Sequence, residues 1–222
     1  MEWSLRILVY GDSNSWGYLD DGSGTRHPDR WPLIMGRHLR DAGIDVTIIE
    51  ECLPGRTTNI DDPQEGAWCN GLTPLRPILL SQQPLDHILL MLGTNDLKAR
   101  FGRNATAITD GIISLLRIIR DTAAGPGGWH CETPARVTVI CPPALGERAD
   151  DPAWARHEEW RGGRVTSQAL PDMMRDACID AGVGFIDGNR HALSSPRDPI
   201  HWSAETHMAF GAAVAADIQA SN

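Results

Sequence analysis

The chain has 222 residues, 41% of them hydrophobic, which supplies a substantial core for a single domain spanning residues 1–222. Its net charge of −9, with no Lys/Arg run longer than a pair, argues against nucleic acid as a partner. The apolar run near the N-terminus is too short for a signal-peptide core or a membrane span, so we expect a cytoplasmic protein with no membrane partner.

The spacing of cysteines and histidines gives no sign of a metal or a cofactor. The five cysteines are widely spaced, and no pair follows the Cys-x-x-Cys pattern of a zinc ribbon. No histidines form an H-E-x-x-H motif, and the stretch GSGTRH lacks the third glycine of a dinucleotide fingerprint. We therefore expect free thiols, no metal and no cofactor.

Aliphatic runs that predict strands alternate with segments of helical periodicity. The predicted strands are Leu5–Tyr10, Asp45–Glu50, His87–Leu92, Arg136–Cys141 and Val183–Ile186. The predicted helices cover residues 31–43, 72–83, 105–124, 164–181 and 204–220. This alternation predicts an α/β fold, a three-layer α/β/α sandwich around a five-stranded parallel sheet of the flavodoxin-like type.

Two segments interrupt the alternation. Gly125–Pro134 and Pro142–Gly163 are rich in Gly, Pro and Trp and follow no clear period, which predicts long loops. The second loop lies beyond the carboxyl end of the fourth predicted strand. Either loop could form a wall of a pocket or a contact between subunits, and both alternatives stay open.

Residues with catalytic potential follow four of the five predicted strands. Ser13 follows the first strand, Gly55 the second and Asn95 the third, while Asp198 and His201 come after the fifth. Because the carboxyl ends of parallel strands share one edge of the sheet, we expect these residues to lie together. A hydroxyl, a glycine backbone, a carboxamide and an Asp/His pair are the groups that acyl transfer requires.

The candidate nucleophile is Ser13, which needs a base because a free hydroxyl is a weak nucleophile at neutral pH. His201 is the candidate base, and Asp198 is close enough in sequence to hold the imidazole in one tautomer. His207 is the rival base, although it falls inside the last predicted helix. The α/β-hydrolase elbow G-x-S-x-G is absent, because GDSNS ends in Ser15.

In their order along the chain, GDS, a glycine after the second strand, GTND and D-x-x-H resemble the SGNH (GDSL) hydrolase family. The longer strings GDSNSWG, GRTTNIDDP, MLGTND and DPIHWSAETH resemble its bacterial arylesterase and acyltransferase branch. The resemblance implies a triad of Ser13, Asp198 and His201. It also implies an oxyanion hole formed by the Ser13 and Gly55 amides and the Asn95 side chain.

The same resemblance implies a small-molecule ester as substrate, with water or another acceptor receiving the acyl group. It further implies a homo-oligomer, often larger than a dimer. A carbohydrate acetyl esterase or a thioesterase on the same scaffold is the alternative within the enzyme class. From another class, a non-catalytic α/β domain that binds a small ligand at the same edge also stays open.

Two of the eight tryptophans lie close in sequence to the candidate catalytic residues. Trp16 comes three residues after Ser13, and Trp202 directly follows His201. We expect one or both to line an apolar pocket for the acyl or alcohol group. The Trp154 and Trp160 segment is the part of the second loop that could form a pocket wall or a subunit contact.

Overall fold

In the computed structural model, which describes residues 4–129 and 132–220, five strands form one parallel sheet. The strands are β1 (Leu5–Gly11), β2 (Val46–Cys52), β3 (His87–Met91), β4 (Arg136–Cys141) and β5 (Gly184–Asp187). Their order across the sheet is β2-β1-β3-β4-β5, so β1, β3 and β4 lie inside it and β2 and β5 are its edges. The predicted five-stranded parallel sheet is confirmed.

Seven helices connect or follow these strands in the described part of the chain. They are α1 (Ser13–Trp16), α2 (Trp31–Asp41), α3 (Leu72–Gln82), α4 (Ala105–Thr122), α5 (His157–Trp160), α6 (Gly163–Ala181) and α7 (Ala204–Ala220). The five long helices are those that the periodicity predicts. The one-turn helices α1 and α5 are additions, because four residues are too few to show a period.

The sheet is buried on both faces, as its continuous aliphatic runs predict. Side chains alternate along β1, so that Leu8 and Tyr10 pack in the core beneath α3, α4 and α6, whereas Ile7 and Val9 pack in the core beneath α2 and α7. All five residues of β3 are buried. The result is the predicted three-layer α/β/α sandwich.

The register of the sheet brings the carboxyl ends of the neighbouring strands β2, β1 and β3 to one level. Gly11, the last residue of β1, pairs with Cys52 at the end of β2 and with Met91 at the end of β3. The loops that follow these strands therefore start within two strand spacings of one another, roughly 10 Å. They form the edge at which the candidate residues were expected.

The two predicted loops differ in how far they can be described. His130 and Cys131 of Gly125–Pro134 lie outside the described residues. Pro142–Gly163 is an irregular segment that contains a 3₁₀ turn at Glu147–Asp150 and then α5. The described cysteines, namely Cys52, Cys69, Cys141 and Cys178, are free thiols. No helix within residues 4–129 and 132–220 has the length and apolar character needed to cross a membrane.

The placement of Trp202 differs from the expectation that it lines a pocket. Its side chain is 1% exposed and belongs to the core between the sheet and α7, with its ring centroid 4.7 Å from that of Phe210. The residue follows His201, but it forms a bridge with Leu19 and its ring packs against His207 and Phe210 of α7, whereas the His201 imidazole faces Ser13. Trp202 is therefore a core residue.

This placement predicts that Trp202→Ala lowers the free energy of unfolding by about 3–5 kcal/mol, because it leaves a cavity in a packed core. The matched control is Trp68→Ala, whose side chain is 69% exposed and whose removal should change stability by no more than about 0.5 kcal/mol. Urea unfolding of both variants measures the difference. Equal stabilities for the two variants would contradict the core placement.

Candidate active site

Three side chains form a continuous hydrogen-bonded chain at the carboxyl edge of the sheet. Ser13 Oγ lies 3.1 Å from His201 Nε2, and His201 Nδ1 lies 2.7 Å from Asp198 Oδ2. Because an ionised carboxylate only accepts hydrogen bonds, Nδ1 carries the proton and the Nε2 lone pair faces the Ser13 hydroxyl. This arrangement can take a proton from Ser13 while its oxygen attacks a carbonyl carbon.

The local sequence around Ser13 sets its position. Asp12 caps α1 by accepting a hydrogen bond from the Asn14 amide at 3.1 Å, and Gly17 ends the helix with a positive φ of 97°, which glycine adopts without strain. Ser13 is thus held on the first turn directly after β1. Asn14 Nδ2 donates to the Ile200 carbonyl at 3.1 Å, which links this turn to the segment that carries His201.

Asp198 is held in its ionised form. Burial acts to raise the pKa of this carboxyl group, but the hydrogen bond and charge of His201, together with the Ile200 and His201 amides, bring the pKa below its usual value. Its Oδ1 accepts from those amides at 2.9 and 3.3 Å, while Oδ2 faces the imidazole. The D-x-x-H spacing therefore places one carboxylate so that it both caps its own turn and orients the imidazole.

Donors for an anionic oxygen surround Ser13. The backbone N–H groups of Ser13 and Gly55 donate no hydrogen bond within the described part of the chain. Gly55 has a φ of 85°, which favours glycine, and lines the same pocket as Ser13. Asn95 Nδ2 donates to the Arg56 carbonyl at 3.1 Å, which fixes the carboxamide and leaves its second N–H free.

A buried polar network beneath the edge holds the loop that carries Gly55. Arg56 reaches back to the carbonyls of Gly11 and Glu51, and its guanidinium carbon lies 4.2 Å from the Tyr10 ring centroid. The loop is thereby tied to the end of β1. The sequence analysis did not single out Arg56, although it lies inside the GRTTNIDDP string.

The next residues of this loop are held by Asp96, which follows Asn95. Asp96 accepts from the Thr58 amide at 2.9 Å and from Thr58 Oγ1 at 2.6 Å, and Arg103 Nη1 donates to it at 2.7 Å. Burial raises the pKa of Asp96 to about 6 against the effect of these partners. Asp96 thus connects the loop after β2 to the loop after β3.

A pocket of about 210 Å³ opens beside Ser13 and His201. Its other lining residues are Tyr18, Pro54, Gly55, Glu65, Asn95, Lys98, Arg156, Trp160 and Ile200. Tyr18 lies over the imidazole, with 4.4 Å between the ring centroids. Trp160 and Arg156 come from the Pro142–Gly163 segment, so this segment forms one wall of the pocket.

The two tryptophans that were expected to line the pocket are absent from its walls. Trp202 lies in the core, and the half-buried Trp16 packs its ring against Arg26, whose guanidinium carbon lies 5.4 Å from the ring centroid. The aromatic wall is instead Trp160, 144 positions beyond Trp16 in sequence. The packing of α5 against the 3₁₀ turn Ala99–Phe101 brings it there, which agrees with the pocket-wall alternative for the segment that contains Trp160.

The other candidate groups lie apart from this site. His207 is fully buried in α7 beside Trp202, 5.3 Å between ring centroids, and burial lowers its pKa to about 4. It is not among the pocket residues, so His201 has no rival there. Residues 4–129 and 132–220 contain no group of three His, Cys, Asp or Glu side chains arranged to hold a metal ion.

Together, the parallel three-layer fold and the Ser-His-Asp chain define a serine hydrolase of the α/β/α sandwich class. The family model of the GDSL-like lipase/acylhydrolase family matches residues 9–209. The chain belongs to this family, which confirms the resemblance in the sequence, and its enzyme class is serine carboxylic ester hydrolase of the SGNH type.

Characterised relatives agree with this class. An arylesterase from Vibrio mimicus is 30% identical over 162 residues, which cover 70% of this chain and 68% of the relative. A carbohydrate acetylesterase from Sinorhizobium meliloti has 32% identity and a TM-score of 0.88, with 99% of this chain and all of the other covered. An inhibitor-bound aryl esterase from M. smegmatis has 30% identity and a TM-score of 0.87, with 98% and 99% covered.

Asp12, which caps the Ser13 turn, yields a prediction on stability and pH. Burial raises the pKa of this fully buried carboxyl group from 3.8 to about 6, and the Asn14 amide offsets only part of the rise. The ionised form is therefore less stable in the fold than in the unfolded chain. The contribution of Asp12 to the stability of the fold is therefore complete below pH 4, where the carboxyl group is protonated, and it is lost as the pH rises through 6.

Asp12→Asn keeps an oxygen that can cap α1 and removes this ionisation. We expect the free energy of unfolding of the variant, relative to the wild type, to increase by about 3 kcal/mol between pH 4 and pH 8. Asp110→Asn, at an exposed position of α4, is the control and should show little change with pH. Urea unfolding across this range measures both, and a pH-independent difference for Asp12→Asn would contradict the prediction.

Proposed function

We propose that the chain hydrolyses short-chain or aryl carboxylic esters through an acyl-enzyme formed on Ser13. The observation that carries this proposal is the hydrogen-bonded chain from Ser13 through His201 to Asp198, with distances of 3.1 and 2.7 Å. In the proposed first step, His201 takes the Ser13 proton while Oγ attacks the ester carbonyl. Asp198 stabilises the imidazolium that forms.

The negative charge that develops on the carbonyl oxygen is assigned to three donors. They are the Ser13 and Gly55 amides and the free N–H of the Asn95 carboxamide. Collapse of the tetrahedral intermediate expels the alcohol, which receives the proton from His201. Water, activated in turn by His201, then attacks the acyl-enzyme and releases the acid, restoring Ser13.

The size of the pocket supports small substrates. Its volume of about 210 Å³ is below the roughly 300–1,000 Å³ typical of pockets for drug-sized ligands. Trp160 supplies a buried aromatic wall, which suits a short acyl chain or a phenyl ring. The arylesterase relatives support aryl esters, whereas the Sinorhizobium meliloti acetylesterase supports acetylated carbohydrates as the second candidate.

Several expectations from the sequence stay predictions. These are transfer of the acyl group to acceptors other than water, a cytoplasmic location, a homo-oligomeric state, a single domain over residues 1–222, and the absence of nucleic-acid and membrane partners. Light scattering of the purified protein tests the oligomeric state. Product analysis in the presence of an added alcohol tests acyl transfer.

We expect Ser13→Ala to abolish hydrolysis of p-nitrophenyl acetate, butyrate and octanoate, because it removes the attacking oxygen. Wild-type activity should fall as the acyl chain lengthens beyond what the small pocket holds. Intact mass after treatment with an organophosphonate should show one adduct on the wild type and none on the variant. An adduct on Ser13→Ala, or full activity of that variant, would contradict the assignment of the nucleophile.

Asn95→Ala removes one donor to the oxyanion and should lower kcat by about 10²–10³-fold. Its control is Asn104→Ala, which removes a carboxamide that caps α4 and lies outside the pocket. That variant should lose about 1 kcal/mol of stability and keep its kcat. Steady-state kinetics with p-nitrophenyl acetate compares the two, and a loss of less than about fivefold for Asn95→Ala would exclude it from the oxyanion hole.

A further inference from the structure

The pocket beside Ser13 contains a buried cation that the proposed chemistry does not use. Lys98 follows the 3₁₀ turn Asn95–Leu97, lines the pocket and is only 4% exposed. Of the 20 Lys and Arg residues in the chain, 19 are arginine, and Lys98 is the one lysine. The chain therefore places its single lysine in the same pocket as Ser13.

The Lys98 ammonium lacks a hydrogen-bond acceptor in the described part of the chain. Its nearest anion is Asp62, whose Oδ2 lies 3.7 Å from Nζ, within ion-pair range but too far for a hydrogen bond. Arg100 already occupies both Asp62 oxygens, with its Nη2 2.6 Å from Oδ2 and its Nε 3.2 Å from Oδ1. Three N–H donors of a buried charge are thus left for another partner.

A second donor in the same wall is also unpartnered. Trp160 is 2% exposed, and its indole Nε1 is buried with no hydrogen-bond partner in the described structure. Lys98 Nζ lies 5.9 Å from the Trp160 ring centroid, at the outer limit of a cation–π contact. This contact supplies no acceptor to either group. Trp160 Nε1 has no accessible surface, so the Lys98 ammonium is the donor of this wall that is left for a ligand in the pocket.

Lys98 is the buried one among the charged residues that line the pocket. Arg156 is exposed and lies with its Nε 2.9 Å from Glu159 Oε2, so its charge is paired. Glu65, the one acidic residue of the lining, is exposed and makes no hydrogen bond to Lys98. Asp62, Glu159 and Glu65 lie near Lys98 and stabilise its charge, but within the described residues its N–H donors keep no acceptor.

We propose that Lys98 binds a carboxylate of the substrate, so that the enzyme prefers short esters that carry a carboxylate near the scissile carbonyl. This inference rests on the proposed function of Ser13. The small volume of the pocket requires the carboxylate to be only a few bonds from the reacting carbon. The carboxylate has two possible sources, the acyl half of the ester, as in a monoester of a dicarboxylic acid, or the alcohol half, as in an acylated hydroxybenzoate.

Two pairs of substrates distinguish these sources. For the acyl half, mono-4-nitrophenyl glutarate is compared with 4-nitrophenyl pentanoate. For the alcohol half, 4-acetoxybenzoate is compared with 4-acetoxybenzamide. In each pair the kcat/KM of the charged ester is divided by that of the neutral one, after subtraction of the spontaneous rate measured with Ser13→Ala.

We expect the wild type to favour the charged ester in one pair by at least about tenfold, and Lys98→Met to lower that ratio by about 10- to 100-fold, because a charge-assisted hydrogen bond is lost. The control is Arg120→Met, which removes one positive charge from a side chain of α4 that is 72% exposed. It should leave the ratio unchanged. No preference in either pair, or an equal ratio in Lys98→Met, would overturn the proposal.

A measurement on the wild type needs neither a variant nor turnover. Because Lys98 is the one lysine, reductive methylation modifies one side chain besides the N-terminal amine, and peptide mass mapping separates the two. Glutarate or 4-hydroxybenzoate should protect Lys98 severalfold, and absence of protection by both would overturn the carboxylate site. If the wild type hydrolyses no ester and takes no phosphonate, the proposed function fails, while this protection still decides the role of Lys98.

Discussion

The register of three parallel strands is the constraint on which the site depends. Gly11 pairs with both Cys52 and Met91, so the loops that carry Ser13, Gly55 and Asn95 begin at one level of the sheet. A slip of one residue in any of these strands would turn each of its side chains to the opposite face of the sheet. The two hydrophobic cores that pack against the two faces oppose such a slip. The packing energy of the sheet therefore also fixes the relative positions of the groups that are proposed to act on one carbonyl.

The polar network under this edge makes the site rigid at a cost in stability. Asp12 and Asp96 are fully buried, and burial raises the pKa of each to about 6. Such groups are costly to ionise, but Asp12 caps the Ser13 turn and Asp96 holds the Thr58 loop. Hydrogen-bond donors aimed at an oxyanion are effective only if they are fixed before the reaction, so the loss of stability supports preorganisation. Arg56 and Arg103 complete the network, because Arg56 donates to the Gly11 and Glu51 carbonyls and Arg103 donates to the Asp96 carboxylate.

Most of the fold could be predicted from the sequence, because each strand is a short aliphatic run and each long helix has a clear period. The approach of Ser13, Asp198 and His201 to one another was also predictable, since Ser13 and the D-x-x-H pair follow strands whose carboxyl ends share one edge of the sheet. The pocket walls were not. Proximity in sequence to His201 suggested Trp202, yet chain direction sends that side chain into the core, and the wall comes from Trp160. The placement of Trp160 depends on the tertiary packing of α5, and the sequence predicted a pocket wall from this segment only as one of two alternatives. Lys98 lies near the site because it follows Asn95 by three residues.

The overall charge and the local charge of the site act over different distances. The chain carries a net charge of −9, which at long range repels an anionic ester. At physiological ionic strength, however, charges separated by more than about 8 Å in water are largely screened. Lys98 is nearly fully buried, so its attraction for a group inside the pocket is screened much less. A carboxylate within the pocket is therefore governed by the ammonium rather than by the acidic surface. In the proposed arrangement, selectivity for a carboxylate arises after the substrate has entered the pocket that Ser13 and Lys98 both line.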